Sequence, residues 1–324
     1  MSTKTRALPT RNLRLVLERF AALIVLVLVC ATFSVASPGF LGASNVFDVL
    51  RQVALTGVVA IGETFVILTG GIDLSVGSLI ALTGVVAASF EARGTNVWLT
   101  IFLVPLLGLL IGLAMGTIVT RARVPAFVVT LGGLEALRGL TLLYTNGSPI
   151  TPPNGFSAVF TFLGQGFLGP IPFPVVVFLA MTLIAYAVLR NSRFGRYVYA
   201  IGGNAEAARL SGLPVKSITS ATYAISGLCA GIGGLLLTSR LNSGDPTTAT
   251  GSELTAIAAV VIGGTSLFGG IGGVIGTLIG AMLIGVITNG LLLMNVSAYL
   301  QPVVIGAIIV FAVFIDQLAK GRQR

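Results

Sequence analysis

Apolar runs long enough to cross a bilayer recur through nearly the whole of this 324-residue chain, and they decide its class before any motif is read. They lie near 20–37, 53–68, 79–90, 98–120, 126–145, 175–189, 219–239, 253–263, 271–294 and 300–315, the third and eighth being short. A spanning helix needs about 20 apolar residues, and none of these runs alternates with the period of two that an outer-membrane barrel strand requires. The expected fold is therefore an all-α polytopic membrane protein with about ten transmembrane helices, some of them broken. Gly is abundant at 42 residues, which suits close helix packing in lipid.

The net charge of +9 would suit a nucleic-acid binder, but its placement assigns it another role. With a cytoplasmic N-terminus, the inside segments hold 15 of the 19 Lys and Arg residues. Five precede the first span, two are Arg121 and Arg123, five lie in 190–218, and three end the chain. Arg51, Arg93 and Arg240 fall outside, and Arg138 falls within a span. This is the cytoplasmic bias of a membrane protein with both termini inside, and no nucleic-acid partner is expected. The chain divides into a basic cytoplasmic tail (1–19), one transmembrane domain (20–316) with a cytoplasmic loop at 190–218, and a second cytoplasmic tail (317–324). A cleaved signal peptide ending near Ser34-Val35-Ala36 is the rival reading of the first span. Cys30 and Cys229 sit in apolar runs with no disulfide or zinc spacing, and there is no His, so no metal or cofactor is expected.

The longest polar segment, 190–218, carries the marks of a short helix. Asn204 is a good N-cap and Glu206 falls in the first turn, where the helix dipole favours a carboxylate. Gly212 suits the left-handed position after a helix, and Pro214 stops further winding. Ala207, Ala208 and Ser211 give the helix a small face, and Arg209 is free to meet a partner. A self-capped helix between two spans reads as a docking element for something outside the membrane.

Within the spans, ionisable residues carry a functional expectation because they are costly there. Glu63, in IGETF, either lines a path or is satisfied structurally. Asp73, in GGIDLSVG, suits a glycine-rich break whose amides need an acceptor. Glu135 and Arg138 are three apart and are expected to pair, and Glu253 reads as a first-turn carboxylate. Asn146, Asn289 and Asn295 suit either hydroxyl binding or helix capping, with capping favoured for Asn146. Trp98, Tyr144 and Tyr299 suit an interfacial belt. The segment 146–174 is too rich in Gly, Pro and Asn for one continuous helix. A weak echo relates 69–84 to 262–280, each a Gly-Gly break before a small-residue span; shared composition is the alternative to a true repeat.

The stretches ILTGGIDLSVGSLIALTG, VTLGGLEALRG, YTNGSPI, GRYVYAIGGNAEAARLSG and DPTTATGSELTAIAAVVIGGTSLFGGIGGVIGTLIGA together resemble the membrane permeases of bacterial ABC importers for monosaccharides. The group includes ribose permeases, and the resemblance runs from about Thr56 to Asp316. It implies a type II ABC importer-like permease in the bacterial inner membrane. The implied partners are an ATP-binding cassette ATPase, a periplasmic sugar-binding protein and a second permease copy. Glu206, Ala207, Ala208 and Gly212 resemble the family's ATPase-engaging loop, with Asn204 and Arg209 beside them. Glu63, Asp73, Arg138 and Asn295 are the candidates for the translocation path. The residues agree on one point independently. Lys4, Lys216 and Lys320 are the only lysines, and no glycine-rich loop leads into Lys216-Ser217, so ATP hydrolysis belongs to another subunit. The alternatives are a proton-coupled transporter using Glu63 or Glu135, and a membrane enzyme, for which no nucleophile–base pair is visible.

Overall fold

Hydrocarbon offers the backbone no hydrogen-bond partner, so each apolar run satisfies its own amides as a helix. The computed structural model describes residues 10–297 and 299–321, and within them six helices are long and apolar enough to cross a membrane, joined by shorter apolar helices. Residues 1–9 of the N-terminal tail and 322–324 of the C-terminal tail lie outside the described residues.

The first two helices start earlier than their apolar runs. α1 (Thr10–Ala36) takes in half of the expected tail. α2 (Ala43–Leu68) takes in the stretch around Asp48 and Arg51, expected to be a polar connection. Val46, Val49, Leu50 and Val53 recur there at helical spacing, and the two charges, 3.5 Å apart, occupy another part of the turn. At 26 residues α2 is about 39 Å long, so its ends stand beyond the hydrocarbon core.

α3 (Val76–Ala92), α4 (Val97–Arg121) and α5 (Ala126–Thr145) follow close to their expected positions. Asn146 ends α5 in the left-handed conformation, φ 50°, as its capping role requires. The segment 146–174 is indeed interrupted: it holds α6 (Ala158–Gln165) and a small antiparallel hairpin, β1 (Phe167–Leu168) with β2 (Ile171–Pro172). After α7 (Phe173–Asn191), the 190–218 segment folds as two helices where one was expected, α8 (Arg193–Gly203) and α9 (Ala205–Leu210). α10 (Val215–Leu241), α11 (Ser252–Ile262), α12 (Val274–Leu293) and α13 (Leu300–Gly321) complete the chain. α13 carries the start of the tail expected at 317 as helix.

α2 and α10 form the buried centre, and α4, α5 and α7 turn most of their surface outward. α10 seats on α4 through glycines one turn apart. Gly108, Gly112 and Gly116 face Gly227, Gly231 and the backbone around Tyr223 so closely that a Cβ on Gly112 would lie 2.2 Å from the Tyr223 carbonyl oxygen. Small residues allow such contact where apolar burial gives helices no reason to associate. Asn289 on α12 exchanges two amide hydrogen bonds with Asn45 on α2, at 2.8 and 3.0 Å, so it links helices and caps none. Trp98, Tyr144 and Tyr299 lie exposed at span ends, as an interfacial belt requires.

Candidate functional site

Two stretches of irregular backbone, 69–75 and 244–251, fold back into the bundle and meet at the first turn of α3. From Leu68, at the end carrying α8 and α9 (the basic end), residues 69–75 turn back without helix until α3 begins at Val76. On the other side, Gly244 packs on Ala88 and Val85 near the far end of α3, while Ala249 and Glu253 pack on Gly77 in its first turn. Gly84 and Val85, which Gly244 also touches, stand seven and eight helical residues from Gly77, so 244–249 descends about 11 Å along α3, through a turn in which the Thr248 amide donates to the Asp245 carbonyl at 3.3 Å. α11 therefore starts inside the bundle, partway along α3, and its 11 residues, about 16 Å, run toward the basic end. Irregular backbone at this depth requires internal partners. Asp245 supplies some, its Oδ1 accepting from the Thr247 amide and hydroxyl at 2.7 Å each. Gly244 pairs with Ile150 in both directions, at 2.9 and 3.0 Å.

Arg138 supplies the rest. Its guanidinium donates to the Pro246 carbonyl at 2.6 Å and the Thr248 carbonyl at 3.0 Å. The expected Glu135–Arg138 pair does not form, because Glu135 points outward and the long Arg138 side chain reaches the descending loop. Glu253, at the start of α11, is buried and accepts from the Gly251 amide at 3.2 Å, close to the first-turn role expected of it. Exposed at the same depth are Glu135, Thr247 and Thr250, a polar strip on an otherwise apolar outer face. Asp245, Thr247 and Thr250 escaped sequence reasoning because a Gly/Thr-rich stretch between spans reads as an external loop. A ≈370 Å³ cavity lined by Gln52, Thr56, Arg240, Ser252 and Thr255 sits between α2, α10 and the first turn of α11.

Glu63 and Asp73 are enclosed by the protomer, at 0% and 1% exposure. Glu63 Oε1 accepts from the Asp73 amide at 3.1 Å. Asp73 in turn accepts from the Ser75 amide at 3.0 Å, from the Ser75 hydroxyl at 2.6 Å and from Ser226 on α10 at 2.9 Å. These bonds tie both carboxyls into the first break. Asn295 is exposed, has φ 55°, and its amide bonds back to Leu292, in the turn that follows α12.

The two Gly-Gly breaks that echo one another lie together at the basic end. The Gly270 amide donates to the Leu68 carbonyl at 3.0 Å, and Thr64 and Thr277 share a 2.7 Å hydroxyl contact. α8 covers them, burying Gly195, Val198 and Ile201 while its Arg193 and Arg196 stay exposed. Its i, i+3, i+6 apolar row was hidden in sequence by the basic residues between. α9 then projects with its expected caps. Asn204 accepts from the Ala207 amide at 2.9 Å, and Gly212 takes φ +82° while the Leu213 amide closes onto Ala208 at 3.1 Å. The small face divides: Ala208 is buried against the protein, and Ala207 and Ser211 face outward beside an exposed Leu210. Arg209 is not free but holds both Glu206 oxygens, at 2.5 and 3.0 Å. That hydrogen-bonded ion pair keeps the Glu206 carboxyl below its ordinary range.

Broken spans around a polar midpoint, with a capped helix outside, define a membrane permease. The family model described as "Branched-chain amino acid transport system / permease component" matches residues 45–313, and the chain belongs to that family. It is 45% identical over 298 residues to the ribose import permease of Escherichia coli K12, covering 91% of this chain and 92% of that one. It is 41% identical to the ribose import permease of Bacillus subtilis, covering 97% and 98%. With the xylose transport permease of Haemophilus influenzae it shares 36% over 95% and 98%. No solved structure matched the chain.

Proposed function

We propose that this protein is the transmembrane subunit of an ATP-driven ABC importer that carries ribose or a related monosaccharide across the bacterial inner membrane. The observation that carries this reading is the near-complete alignment, at 41–45% identity, with ribose import permeases of two distant bacteria. ATP is hydrolysed by a separate ATPase subunit, and a periplasmic binding protein delivers the sugar. About ten helices cross or enter the bilayer, with the basic end and both termini in the cytoplasm, as the distribution of Lys and Arg supports. α9 docks on the ATPase, with Asn204, Glu206, Ala207, Arg209 and Gly212 shaping its exposed surface and Ala208 seating it.

A second copy completes the path. Glu135 lies at the centre of α5, about 15 Å from either end, and is exposed. A carboxylate there is costly against lipid, so the strip of Glu135, Thr247 and Thr250 faces its counterpart across a two-fold axis, and the sugar passes between. Hydroxyls and one carboxylate suit a neutral polyol, and Arg138, committed to two carbonyls, is not available for an anion. Co-reconstitution in vesicles with ATPase and binding protein tests this. ATP-dependent uptake of ribose or xylose, and none of a sugar phosphate, is the expected result. Uptake by the lone chain, abolished by dissipating the proton gradient, would refute it.

A further inference from the structure

A cavity of ≈1120 Å³ opens between α1, α7, α8 and the start of α12, beside the glycine-rich break at 263–273. Arg190, Arg196, Tyr186 and Tyr199 line it, and Ala22, Leu189, Ile275 and Ile279 form its apolar wall. Among the described residues, no acidic one lines it. Tyr199 is fixed by donating to the Gly272 carbonyl at 2.9 Å, and the Arg190 guanidinium lies 5.5 Å from the ring centre of Tyr186. Both arginines are exposed, and neither makes an ion pair among the described residues. Ile271, before α12, and Ile275, in its first turn, add to the apolar wall and are 60% and 51% exposed. The cavity thus has a basic, aromatic rim at the edge of the bilayer and an apolar groove leading inward along three spans.

We infer that this cavity binds one anionic phospholipid, its phosphate between Arg190 and Arg196 and its acyl chains along Ile275 and Ile279. Charge complementarity favours an anionic headgroup, since two guanidiniums and, among the described residues, no carboxylate line the cavity. The apolar wall selects a lipid over a free phosphate, because only a lipid fills both halves. The spans α1, α7 and α12 supply that wall at a depth an aqueous partner protein does not enter. Only the leaflet supplying the lipid rests on the reading of the basic end as cytoplasmic; binding itself does not. The occupant would brace α8, and through it the base of α9, against the membrane.

Native mass spectrometry of the full, delipidated chain in detergent tests the site, with phosphatidylglycerol, phosphatidylcholine or glycerol phosphate added. One phosphatidylglycerol adduct is expected, and Arg190→Gln/Arg196→Gln should weaken it on the order of 30-fold, taking roughly 1 kcal/mol for each basic residue. Both arginines are surface residues, so the variant should elute as the wild type does on size exclusion. Ile279→Trp, which fills the groove and keeps the charge, should weaken the adduct as well. Equal binding of phosphatidylcholine, equal binding of glycerol phosphate, or an adduct unchanged in the double variant each overturns the proposal. So does protection of the two arginines from an arginine-directed reagent by the ATPase subunit and not by phosphatidylglycerol. Orientation is read separately, from reagent access in sealed vesicles, so a reversed topology and an absent lipid site give different results.

Discussion

Replacing Arg138 with Met keeps an apolar stem of similar length and removes both donors to the descending loop. A hydrogen bond from a charged group contributes about 1.5–3 kcal/mol. Arg138 makes two, at 2.6 and 3.0 Å, and is only half-buried, so the low end applies and the loss is about 3 kcal/mol. The carbonyls of Pro246 and Thr248 then have no partner at mid-depth, and the segment 244–252 opens more often. At 1.4 kcal/mol per decade, opening becomes about a hundredfold more frequent. Hydrogen–deuterium exchange of the Thr247–Ser252 amides in nanodiscs measures this directly, and sugar uptake in vesicles should fall with it. Arg138→Lys, with a point charge able to hold one carbonyl well, should recover about half of the loss in free energy. Exchange within about threefold of wild type in Arg138→Met would refute the clamp, since so small a change corresponds to well under 1 kcal/mol.

Four further outcomes follow from the same geometry. Gly112→Ala, whose Cβ would meet the Tyr223 carbonyl oxygen at 2.2 Å, should cost at least about 1–3 kcal/mol and lower the yield of folded protein; Gly132→Ala, with nothing within 4 Å, should not. Glu63→Leu strands the buried Asp73 amide at about 1–3 kcal/mol while Glu63→Gln keeps an acceptor for it, so thermal stability should drop in the first alone. Slow transport in a stable Glu63→Gln variant would place Glu63 on the path. Gly212→Val, strained by about 1 kcal/mol or more at φ +82° but free of clashes, should leave insertion intact and uncouple ATPase activity from sugar uptake. Glu206 has its carboxyl lowered by Arg209, so their link is present above the unfolded glutamate pKa of about 4.3 and is lost as pH falls through the lower folded value. Amide exchange in α9 should therefore rise in that acid range, and Glu206→Gln should remove the pH dependence.

The class of the protein and the caps of α9 were legible in the chain itself, because both depend on local chemistry. An apolar run of span length has one way to satisfy its amides in lipid, and Asn204, Gly212 and Pro214 punctuate a helix whatever surrounds it. The start of α2 and the existence of α8 were also written in the sequence, as apolar rows at helical spacing, but charges on the remaining faces obscured them. Depth was not legible. That α11 begins within the bundle follows from Gly244 packing beside Val85 and Ala249 beside Gly77 on α3, contacts between segments more than 150 positions apart in the chain. The partners of charges depended on the same packing. Arg138 had a carboxylate three residues away and instead took two carbonyls over a hundred residues distant. Helical spacing fixes which residues share a face, but only the assembled bundle decides which faces are enclosed, and a buried charge pairs with whatever the enclosure brings to it.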